Sequence, residues 1–149
     1  DGAVTLVVKA DKALKLKLRV PEWCESRSLS VNGEAVNAEP TEGYLVLALG
    51  EGENEILLSL EEKVVINSHE IDGKSYLSVN YGPLLMAHDT HFGGEQWQEL
   101  SDKAAFERVD AGDEAIVRLD SAEMTLVDFA SAGGNDPEND TYTVFVPKK

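Results

Sequence analysis

The chain has 149 residues, 42% of them hydrophobic, with 28 acidic against 13 basic side chains and a formal charge of −15. That size and apolar content suit one ordinary domain with a packed core and exclude a largely disordered chain, and no apolar run approaches the ~20 residues of a membrane-spanning helix. The charge repels phosphate backbones and anionic lipid, which excludes nucleic acid and membrane surfaces as partners but leaves neutral polar ligands such as sugars.

The dominant period is two, the signature of strands with one buried face. "VTLVVK" (4–9) and "LKLKLRV" (14–20) open the chain, the second with leucines on one side and Lys15, Lys17 and Arg19 on the other. "SLSVNGEAV" (28–36) sets Asn32-Gly33 between short alternating arms, a strong hairpin signal. "YLVLAL" (44–49) and "NEILLSL" (54–60) flank the turn "GEGE"; "KVVINS" (63–68) and "SYLSVNY" (75–81) flank "HEIDGK", where Asp72-Gly73 reads as a turn. Gly82-Pro83 reads as a break that bends a strand, because proline cannot donate to a ladder. Beyond it, "GPLLMAHDTHF" (82–92) is expected to leave the sheet for a polar loop, its histidines solvated.

A loop from residue 90 is followed by a short helix, if there is one, near 98–106. "EAIVRL" (114–119), "EMTLVDF" (123–129) and "TYTVFV" (141–146) return to strands around the turn-forming "ASAGGNDPEND" (130–140). Strands spaced this regularly predict an all-β antiparallel sandwich, jelly-roll-like, in a single domain over 1–149, with 92–100 as the place for any sub-boundary. The single Cys24 excludes an internal disulfide, and with no signal-peptide pattern in "DGAVTLVVKADK" the reading favours the cytoplasm.

An ordered set of motifs carries a resemblance. "LKLRVPEWCESRSLSVNGEAV", "GYLVLAL", "GENEILLSL", "INSHEIDGKSYLSVNYGPLLMA" and "MTLVDFASAGGNDPENDTYTVFVP" are similar to the C-terminal β region of the DUF1680 glycoside hydrolases, the bacterial family 127-type β-L-arabinofuranosidases. The resemblance spans most of 14–147 and is weakest at 90–120. It implies a non-catalytic β-sandwich that accompanies an (α/α)6 barrel, where a zinc held by cysteines and a glutamate, and a nucleophilic cysteine, do the chemistry. This chain has almost no helical periodicity, so that barrel is not in it, and Cys24 inherits no role. The expected partners are the barrel and plant-type glycans, with no cofactor and no catalytic residue in this chain.

Candidate chemistry is sparse. Glu22 and Glu25 are poor neighbours for a thiolate at Cys24, which reads as a structural thiol. His88 and His91, with His69 to complete a zinc site, lack a cysteine pair, an HExxH pattern and a helix to carry them. His69 is expected to tether its own loop or to face the missing catalytic domain. Asp136, Glu138 and Asp140 concentrate oxygens as calcium loops do, without the EF-hand spacing. Trp97, in the polar "GGEQWQEL", and Trp23, at a strand end, are the candidates for stacking on a sugar ring, the alternative function being a carbohydrate-binding module.

Overall fold

The computed structural model describes residues 2–134 and 141–149. The chain divides into two compact units, Asp1–Lys63 and Val64–Lys149.

The first unit holds β1 (Ala3–Ala10), β2 (Leu14–Arg19), β3 (Cys24–Val31), β4 (Glu34–Ala35), β5 (Tyr44–Leu49) and β6 (Gly52–Glu62). They form two sheets, β1-β6-β3-β4 and β2-β5. Alternation in sequence becomes alternation in space. Leu14, Leu16 and Leu18 pair across β2–β5 with Leu49, Leu47 and Leu45, while Lys15, Lys17 and Arg19 face solvent. In the other sheet, Leu29 sits opposite Leu58 and Leu6 opposite Ile56. Leucines of both sheets meet in one cluster, so the unit is a two-layer sandwich with a leucine-rich filling. The Asn32-Gly33 hairpin forms as expected: both residues have positive φ, 53° and 81°, which the tight turn between β3 and β4 requires.

The second unit holds β7 (Val64–Ile71), β8 (Lys74–Tyr81), β9 (Leu84–Asp89), β10 (Glu107–Val109), β11 (Arg118–Asp120), β12 (Thr125–Asp128), β13 (Tyr142–Thr143) and β14 (Val146–Pro147). The sheet order is β10-β11-β12-β9-β8-β14, with β7 on β8 and β13 on β9. β8 and β9 pair only near their turn, Val79–Tyr81 with Leu84–Met86. Farther out the last segment of the chain takes over, Tyr142 and Thr143 on β9 and Val146 and Pro147 on β8. The C-terminal segment thus divides its pairing between the two diverging arms of that hairpin. Leu77, Val79, Met86, Leu119, Leu126 and Val146 build the core on one face, joined by Leu100, Val117 and Met124 from loops.

The fold class is therefore the expected one, all-β with antiparallel sheets, and three local expectations are corrected. Gly82-Pro83 does not bend a strand; it reverses the chain between β8 and β9. β9 does not leave the sheet but lies inside it, between β8 and β12. No helix forms at 98–106, and a 3-10 turn lies instead at Thr90–Phe92. Leu100 explains the missing helix. Its N–H donates to Pro147 and its carbonyl accepts from Lys149, so its backbone groups bond to the chain terminus. Ala104 and Phe106 then pack on the core, and extended backbone continues into β10.

Candidate functional site

The second unit carries an open groove of about 530 Å³, lined by Lys74, Ser75 and Tyr76 at the start of β8, Pro147 and Lys148 at the end of the chain, and Trp97 from the connecting loop. Three parallel supports bring these together. β14 pairs with β8, Lys148 N–H donates to Ser75, and Leu100 bridges to Lys148. The Trp97 loop is pinned directly after the indole. Leu100 is fully buried at 0% exposure, the Gln98 side chain donates to the Glu123 carbonyl, and Ser101 N–H donates to the Glu123 carboxylate at 2.9 Å. Trp97 nevertheless keeps 66% of its surface exposed. A loop held this firmly presents its indole outward by construction, not by slackness.

Ion pairs reinforce the same region. Lys148 meets Asp102 at 2.7 Å and Lys149 meets Glu123 at 2.9 Å. The Lys148 ammonium, by hydrogen bond and charge, holds the Asp102 carboxyl below its ordinary range. Lys149 and the Ser101 N–H do the same for Glu123. Asp120 is lowered by its hydrogen bonds from Arg118 and, against some desolvation, from Thr125. Lys74, exposed beside the groove, has no such partner among the described residues.

The histidines part company. His88 is not solvated: it is 1% exposed, with Nδ1 at 3.3 Å from the Thr125 carbonyl and Nε2 at 3.0 Å from the Glu95 carbonyl. A Cβ on Gly94 would lie 2.9 Å from the His88 ring, so the loop can cross there only with glycine. His91 is exposed and stands edge-on to Phe92. His69 does not tether its own loop. It lies within β7, which runs on to Ile71, and its Nε2 is 2.8 Å from Ser78 Oγ, with Phe145 edge-on at 5.2 Å.

Among the described residues no three His, Cys, Asp or Glu side chains converge as metal ligands. Asp136, Glu138 and Asp140 lie outside the described residues. Cys24 is half-buried in the first unit, its thiol donating to the Ser26 carbonyl at 3.0 Å. Trp23 sits half-buried in the turn between β2 and β3, so the two tryptophans belong to different units.

Sequence reading missed two buried carboxylates among the described residues. Asp89 accepts from the N–H of His91 and of Gly133, and Asp128 from the N–H of Ile116, Val117 and Ser131 and from the Ser131 hydroxyl. These are acceptors that tie loops to strands, and neither lines the groove. Lys74, Tyr76 and Lys148 were missed as neighbours of Trp97 because nothing in the local pattern reveals that β14 pairs with β8. The groove itself offers an aromatic floor and ammonium donors. Such a set can hold a ring and its polar edge; among the lining residues the Ser75 hydroxyl donates to the Glu70 carboxylate, and no acid lines the groove to face another.

The fold recurs as a part of several solved glycoside hydrolases. Nearly the whole chain superposes on a glycoside hydrolase (TM-score 0.75, 16% identity, 99% of this chain and 30% of the other). It matches likewise a GH127 β-arabinofuranosidase (TM-score 0.74, 15% identity, 99% and 30%). A GH127 β-L-arabinofuranosidase from Geobacillus stearothermophilus is similar over the full chain (TM-score 0.69, 16% identity, 29% of that enzyme). In sequence, residues 1–61 match the family described as β-L-arabinofuranosidase, GH127 middle domain. The resemblance read from the motifs therefore holds: the chain is like the β region of these proteins. It spans less than a third of the solved relatives. No curated protein matches its sequence.

Proposed function

We propose that the chain is a non-catalytic accessory β module of a β-L-arabinofuranosidase-like glycoside hydrolase, and that it docks on and braces a helical-barrel catalytic domain. One observation carries the reading: residues 1–61 match a family described as the middle domain of such an enzyme. The chemistry of the described residues supports it. The buried acids accept from backbone donors that tie loops to strands, and the exposed groove has aromatic and cationic walls with no pair of acids facing across it. The test has two arms. The 149-residue chain should leave an aryl β-L-arabinofuranoside intact, and removing this segment from the parent hydrolase should lower the melting temperature of the remaining barrel. Turnover by the chain alone, lost in Cys24→Ala, would overturn the proposal. So would a barrel indifferent to the deletion.

A further inference from the structure

We propose that the Trp97 groove is a saccharide-binding site, with the C–H face of a sugar ring on the indole and ring hydroxyls accepting from Lys74 and Lys148. The inference rests on the groove alone and stands apart from the docking role. Its first support is the indole, exposed on a loop that Leu100, Gln98 and Ser101 hold in place. A ligand meeting it finds a platform already ordered, so little entropy is lost on binding.

The second support is the character of the walls. Tyr76 and Pro147 add apolar surface to the lining, and Lys74 and Lys148 line the groove with them, the Lys148 ammonium also within reach of Asp102. A wholly apolar ligand would need an enclosed pocket, and this groove is open along one side. A molecule with one apolar face and a hydroxylated edge matches an aromatic floor with a polar rim. Charge narrows the class further. One of the two ammoniums is already paired with Asp102, and the chain carries a net −15, so a polyanionic glycan is repelled at long range and a neutral one is not. About 530 Å³ gives room for a short oligosaccharide.

The test is calorimetric titration of the 149-residue chain with arabinan oligosaccharides, with xylan oligosaccharides and oligogalacturonate alongside. Arabinan or xylan should bind, oligogalacturonate more weakly. Trp97→Ala should weaken binding by about tenfold, the value of one stacked ring, and Lys74→Ala by less. Both residues are exposed, so both variants keep the fold, and circular dichroism checks that they do. In a Trp23→Phe background the remaining indole emission should shift to the blue as the glycan is added. Absence of binding to either neutral glycan, or unchanged affinity in Trp97→Ala, overturns the assignment. It is equally overturned if oligogalacturonate binds best, or if Trp97→Ala abolishes association with the separately produced catalytic barrel while glycans leave the emission unmoved.

Discussion

Asp128 is buried at the end of β12, and its two carboxylate oxygens accept from Ile116 and Val117 at 2.9 and 3.0 Å and from Ser131 on the other side. It thereby fixes both the strand entry before β11 and the turn after β12. Asp128→Ala strands several backbone donors without acceptors, and should cost about 3 kcal/mol in urea denaturation. Asp128→Asn, which keeps one carbonyl oxygen, should cost about half of that. A loss below about 0.5 kcal/mol in the alanine variant would mean that water satisfies those donors in its place. Gly94 is a second such position. A Cβ there meets the His88 ring at 2.9 Å, and its φ of 91° already disfavours a side chain. Gly94→Ala should therefore destabilise the fold by about 1–3 kcal/mol and displace the Trp97 loop, which a changed indole emission would report. None of these roles was legible in the sequence. In "MAHDTHF" and "TLVDFAS" the aspartates look like solvated strand ends. They are buried because segments distant in sequence fold over them, and local pattern does not carry that information.

The strands of the first unit were legible for a plain reason. β2 and β5 alternate strictly, and a one-residue slip would turn every leucine to solvent, so their pattern admits one register. Leu47, 4% exposed and opposite Leu16, is the centre of that ladder. Leu47→Ala should cost about 2–5 kcal/mol, seen as a lower denaturation midpoint with an unchanged slope. The second unit reads less well because β10 and β11 are only three residues each, too short to show a period, and β13 and β14 take their partners, β9 and β8, from far along the chain. The C-terminal segment depends on charge as well. Asp102 with Lys148, and Glu123 with Lys149 and Ser101, hold carboxyls whose folded values lie below the unfolded ones. Their contribution is complete above the ordinary carboxylate range and disappears as pH falls through the depressed folded values. Acidification should therefore reduce stability. A Lys148→Met, Lys149→Met double variant should show a shallower loss over the same window, since the carboxyls it leaves behind return toward their ordinary values. Equal slopes for the two proteins would show that these pairs are too well screened to matter.

At the scale of the whole chain, two boundaries drawn on different grounds fall together. The compact unit ends at Lys63, and the family match ends at residue 61. The first unit also has a core of its own: Leu29, Leu45, Leu47, Leu49, Ile56 and Leu58 are all supplied from within it, wrapped by half-buried Leu6, Val8, Leu14, Leu16 and Leu18. Size argues the other way. A domain of about 60 residues buries only about 60% of the surface its unfolded chain exposes, and a single core of that size rarely yields more than about 3–5 kcal/mol. The leucine ladder is dense enough to tip the sum toward folding. Residues 1–63 expressed alone should give a β-type circular dichroism spectrum and a cooperative urea transition of low midpoint, and Leu47→Ala should abolish that transition. A fragment that stays unfolded would show that its sandwich cannot stand without residues 64–149. The chain would then be a single folding body, its inner boundary a matter of contacts and not of stability.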